Sequence, residues 1–74
     1  MEYIEPLTKR EREVLDLAGQ GLSNQEIGET LGIKPVTVQN HLNSIYAKLG
    51  VTSRIQAALK EQILVYIGKL AGQR

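Results

Sequence analysis

Five residues within a short span, Val36, Thr37, Gln39, Asn40 and Asn43, carry the chain's densest group of uncharged side chains suited to directed contact. Each carboxamide sets an acceptor oxygen beside two N–H donors, so it can bond a planar edge that offers the complementary pair. The valine and threonine methyl groups add apolar contact. This is recognition chemistry rather than bond-making chemistry. The residue types for catalysis are not assembled anywhere: His41 is the one histidine, there is no cysteine, and no glycine-rich phosphate loop or paired carboxylates can be read. A thiolate metal site and a nucleophile with its base are both excluded on those grounds. The expectation is a domain that is not an enzyme and holds no metal or cofactor. Most exposed amides simply face water, so the scaffold beneath these five decides what they do.

That scaffold is small. The chain has 74 residues, enough for one domain near the lower limit of what a single hydrophobic core sustains. With no disulfide to help, packed helices or a partner must supply the stability. Nine basic and eight acidic residues leave a net charge of +1, short of the strongly basic balance of many nucleic-acid binders. No run of about 18 apolar residues and no export signal is present, so a cytoplasmic location away from membranes is expected.

Residues 1–7 show no period and read as an N-terminal arm. Helices follow. "TKRE" places Thr8 at an N-cap and Glu11 three residues on, and "SNQE" repeats the device with Ser23 and Glu26, the spacing of reciprocal capping boxes. Val14, Leu15, Leu17 and Ala18 give the first helix its apolar face, and Ile27 and Leu31 do so for the second, which Gly32 ends after about two turns. Pro35 suits the first turn of a third helix over about 35–49. There Val38, Leu42, Ile45 and Leu49 form a core stripe, with Val36, Asn40, Asn43 and Ala47 opposite. "TSRIQ" starts a fourth helix with Thr52 or Ser53 as cap. Its expected inward stripe is Ile55, Ala58, Leu59, Ile63, Tyr66, Ile67 and Leu70, with the helix reaching about Ile67. No β pattern or repeat competes with this reading, which gives an all-α, four-helix domain over 8–67 and a C-terminal tail over 68–74.

A two-turn helix, a tight "LGIKP" turn and a longer helix with one dry and one wet stripe match the helix-turn-helix plan. "LTKREREVL", "GLSNQEIGETLGI", "TVQNHLNSIYAKLGV" and "SRIQA" together resemble the DNA-binding domain of LuxR-type transcriptional regulators, from Leu7 to about Leu59. The resemblance implies that the third helix is the recognition helix, that double-stranded DNA is the partner, and that the fourth helix pairs two subunits. RNA polymerase is a further expected partner of such a regulator. This chain departs from the family pattern at Gln25, Lys34, Val36 and Gln39, where basic, capping or other polar residues are frequent, and at Gly28, where alanine is usual.

On that plan Val36, Thr37, Gln39, Asn40 and Asn43 are the expected base contacts. Asparagine and glutamine suit the N6 and N7 edge of adenine and the methyl groups suit thymine, so an A·T-rich half-site read mainly by Gln39 and Asn40 is expected. Ser23, Asn24, Lys34 and Lys48 are the expected phosphate contacts; Ser23 is already largely explained as a cap. Lys9, Arg10 and Arg12, interleaved with acids, read as mixed solvated surface. His41 flanks the apolar stripe and reads as a half-buried structural residue, and Arg54 is expected to pair with an acid of the first helix, such as Glu13. Ala57, Leu64 and Val65 lie outside the expected stripe of the fourth helix and are candidates for a homodimer interface. Two alternatives stay open: a helical protein-interaction module that has lost DNA binding, and the promoter-reading region of a sigma-type factor.

Overall fold

The computed structural model describes residues 7–62. Three helices, α1 (Lys9–Gly19), α2 (Asn24–Leu31) and α3 (Pro35–Leu49), are followed by α4, helical from 54 to the last described residue, 62. No strand occurs among the described residues.

The sequence starts each of the first two helices with the same reciprocal bonds. Thr8 Oγ1 accepts from the Glu11 N–H at 3.1 Å while Glu11 Oε1 accepts from the Thr8 N–H at 2.8 Å. Ser23 and Glu26 repeat this at 3.2 and 2.8 Å. Two of the N–H groups that a helix start leaves unpaired are thereby satisfied each time. In α4 the device is split: Ser23's counterpart Ser53 accepts from the Gln56 N–H at 3.2 Å, but the Gln56 side chain reaches one residue further back, to Thr52.

The α2–α3 turn depends on two glycines with different tasks. Gly32 adopts φ 72° and ψ 33°, a left-handed conformation that costs a glycine little, and lets the Ile33 N–H bond back to the Gly28 carbonyl at 2.9 Å. This closes the end of α2 in a Schellman-type turn and folds Ile33 against the core. Gly28 is needed for space. A Cβ there would stand 2.5 Å from the Ile33 carbonyl oxygen, so the absence of a side chain allows the turn to press onto α2.

Val14, Leu15 and Ala18 of α1, Ile27 of α2, and Val38, Leu42, Ile45 and Leu49 of α3 form the buried core. The stripe expected for α3 is buried throughout, and α3 packs against both α1 and α2 more extensively than those two pack on each other. Leu7, assigned to the arm from sequence, is itself buried in this core, so the domain starts before the first cap. The other residues of the arm, the end of α4 and the tail over 68–74 lie outside the described residues.

The orientation of α4 differs from the sequence expectation. Ala57, a dimer candidate, is fully buried, whereas Ile55 and Leu59, expected inside, are 78% and 56% exposed. Ala57 lies about 200° around the helix from each of them, so burying one side necessarily exposes the other. Small residues set the choice: Ala58 approaches Gly19 so closely that a Cβ on Gly19 would lie 3.3 Å from the Ala58 Cβ. Polar ties secure this docking, with Arg12 to Glu61 at 2.8 Å and Lys60 Nζ donating to the Leu49 carbonyl at the end of α3 at 2.8 Å.

Candidate nucleic-acid interface

Because one stripe of α3 is buried, the opposite side must face outward. Val36 is 63% exposed, Gln39, Asn40 and Asn43 are exposed, and Thr37 is half-buried beside them. Four of the five expected contact side chains therefore share an open face, and Thr37 borders it. Lys34 stands exposed at the N-cap of α3 with no side-chain capping bond. Pro35 follows in the first turn, where its missing N–H removes one unsatisfied donor.

The amides are not independent of one another. Asn24 Nδ2 donates to Gln39 Oε1 at 2.9 Å, and Gln39 Nε2 donates to Asn43 Oδ1 at 3.0 Å. Arg54, at the start of α4, donates to both the Leu22 carbonyl and Asn24 Oδ1. The expected pairing of Arg54 with Glu13 does not occur; Glu13 instead meets Arg10 at 3.3 Å on the surface of α1. Bidentate reading of adenine by Gln39 also needs revision, because both ends of its amide already have partners. Asn24 is a link between α2, α3 and α4 through its side chain. The sequence signals for this chain of bonds, Arg54 and Asn24, were visible as residues, but their meeting depends on where α4 docks.

Two phosphate candidates have internal partners. Lys48 Nζ lies 2.9 Å from Glu11 Oε1, with the lysine side chain 19% exposed and that of Glu11 6% exposed. Ser44 donates to Glu11 Oε2 at 2.8 Å. The edge of α3 that carries Ser44 and Lys48 therefore faces α1, where Lys48 is paired with a carboxylate of the same domain. Burial by itself pushes the Glu11 pKa up, but hydrogen bonds from Lys48, the Thr8 backbone and Ser44, together with the lysine charge, outweigh it and lower the value from 4.5 to about 2. Ser23 has both its hydroxyl and its N–H in the capping box, and so is a cap. His41 is half-buried, as expected.

Among the described residues, no group of acids and histidines is placed to hold a metal ion, and no helix is long and apolar enough to cross a membrane. Leu64 and Val65, the remaining dimer candidates, lie outside the described residues.

Comparison with known proteins agrees with this architecture. Residues 5–60 match the model of the bacterial regulatory proteins of the luxR family. The chain is 51% identical over 55 residues to the transcriptional regulatory protein LiaR of Bacillus subtilis, covering 74% of this chain and 26% of that one. It is 43% identical over 70 residues to the transcriptional regulatory protein MctR of Rhizobium johnstonii, covering 90% and 33%. The crystal structure of the response regulator ChrA of a heme-sensing two-component system superposes with a TM-score of 0.78 at 38% identity, covering 85% of this chain and 31% of that one. The chain spans between 6% and 33% of the length of the curated relatives it matches. With the matched region running through all four helices, the chain belongs to the LuxR family of bacterial regulatory proteins.

Proposed function

We propose that this domain binds double-stranded DNA in transcription regulation, with α3 entering the major groove. The observation that carries the reading is the exposed, uncharged face of α3, with Val36, Gln39, Asn40 and Asn43 opposite its buried stripe. An α-helix fits the major groove, where base edges offer distinct donor and acceptor patterns. Val36 and Thr37 supply methyl contacts, and Asn40 supplies a carboxamide for adenine. Lys34 provides the charge at the N-terminal end of α3, where unpaired backbone N–H groups also favour an anion. Asn24, at the start of α2, adds a backbone N–H toward a second phosphate.

The reading extends to a homodimer through α4. Ile55 and Leu59, four residues apart on one exposed side, replace Ala57 as the described part of that contact. Pairing two modestly charged domains raises the effective concentration of the second contact. The place of action is the cytoplasm, with RNA polymerase as a partner of the bound regulator.

The protein-interaction alternative has one observation in its favour: Arg10, Arg12 and Lys48 each pair with a carboxylate of the same domain, which removes them from a field that would attract DNA. Titration against a random-sequence duplex distinguishes the two. DNA binding gives affinity that falls linearly with salt on a log–log plot; a module without DNA binding gives no salt-dependent signal.

A further inference from the structure

We infer that Arg54, acting through Asn24, fixes the hydrogen-bond polarity of Gln39 and Asn43, so that this part of α3 presents paired N–H donors and selects guanine. The inference rests on the DNA-binding reading above and adds a specificity that residue type alone does not give. A solvated carboxamide can exchange the positions of its oxygen and nitrogen by rotation and offer either to a base. Here the first member of the series removes that freedom.

A guanidinium has N–H donors and no acceptor. Arg54 donates to Asn24 Oδ1, which requires the oxygen end of Asn24 to face α4. Asn24 Nδ2 then points the other way and donates to Gln39 Oε1 at 2.9 Å. Gln39 Nε2 in turn donates to Asn43 Oδ1 at 3.0 Å. Each link dictates the next. The anchor is half-buried and is held a second time by the Leu22 carbonyl, whereas Gln39 and Asn43 are exposed. With each side-chain oxygen turned toward its neighbour in the series, the N–H groups that point away from it are the second N–H of Gln39 and the N–H pair of Asn43.

Guanine places two acceptors, N7 and O6, side by side in the major groove, whereas adenine sets a donor beside its acceptor. Two N–H groups therefore match guanine and oppose the adenine amino group. Gln39 and Asn43 are the contacting residues, while Arg54 and Asn24 are positioning residues. Asn40 lies outside the series and keeps the freedom to read adenine.

Asn24→Asp tests this by reversing the series. A carboxylate accepts at both ends, from Arg54 on one side and from Gln39 Nε2 on the other. Gln39 Oε1 then turns toward Asn43 and accepts from its amide, leaving Asn43 Oδ1 outward as an acceptor. Aspartate also suits the first turn of a helix, so the fold is kept, as circular dichroism verifies. Gln25→Glu adds the same charge beside it without entering the series.

Binding-site selection from randomised duplexes is carried out with the full chain and with both variants. The parent and Gln25→Glu are expected to enrich a G·C pair at one shared position. Asn24→Asp is expected to lose that guanine preference by about tenfold and to turn to adenine or cytosine, whose amino groups donate. An unchanged guanine preference in Asn24→Asp overturns the inference and leaves the DNA-binding reading intact, as does adenine at every contacted position in the parent. Failure of the parent to retain any duplex overturns both.

Discussion

Glu11 performs three tasks with one carboxylate: it closes the capping box of α1, accepts from Ser44 and pairs with Lys48. Its folded pKa of about 2, against the ordinary glutamate value of 4.5, makes the domain sensitive to acid. As pH falls, the unfolded chain takes up the proton first, so the stabilisation is complete above about pH 5 and is lost progressively between pH 4.5 and about 2. The shift corresponds to about 3 kcal/mol. Urea denaturation from pH 7 down to 2 is expected to show that loss, and Glu11→Gln, already weakened at neutral pH, is expected to show correspondingly less further loss on acidification. The pairing of Lys48 with Glu11 is not legible in the sequence. Its position at the end of a recognition helix suggests an outer cation, but Ser44 and Lys48 share an edge, and that edge meets the acidic cap residue of α1.

At the scale of elements, what was legible follows helical periodicity and local bonds. The caps at Thr8 and Ser23 and the stripe from Val38 to Leu49 depend on residues a few positions apart, so the sequence displays them directly. The docking face of α4 does not share that property. Ile55 and Leu59 have the hydrophobicity of a core face, yet Ala57 is the buried residue, and its small neighbour Ala58 makes the close approach to Gly19. Side-chain size at a crossing competes there with hydrophobicity along a helix, and only the packed structure shows which prevails. The amide series from Arg54 to Asn43 was hidden for the same reason, since it requires α4 to be docked first. Gly28 offers a direct test of close approach in the turn itself. Gly28→Val places branched carbon against the Ile33 carbonyl and is expected to cost about 2 kcal/mol or more, measured by urea denaturation. A variant as stable as the parent would mean that the turn yields readily.

For the whole molecule, the side of α4 turned away from the core is the feature that the small domain does not use internally. If Ile55 and Leu59 form the subunit contact, Leu59→Glu is expected to shift sedimentation equilibrium toward monomer by at least tenfold in the dimer dissociation constant while leaving the helical content intact. Ala57→Glu is expected instead to unfold the chain, because it introduces an unpaired charge into the core. Equal sedimentation of Leu59→Glu and parent would place the contact elsewhere.

The central claim, that this face of α3 holds DNA, is tested most directly by fluorescence anisotropy of a labelled random-sequence duplex over a salt series, comparing the parent with Lys34→Ser. The serine supplies the side-chain cap that α3 lacks, worth about 1 kcal/mol, so weaker binding cannot be ascribed to a less stable fold. The account predicts a linear fall of log K with log salt in the parent and a slope smaller by about one in Lys34→Ser. Binding that is absent at low salt, or a slope that the substitution leaves unchanged, would contradict it.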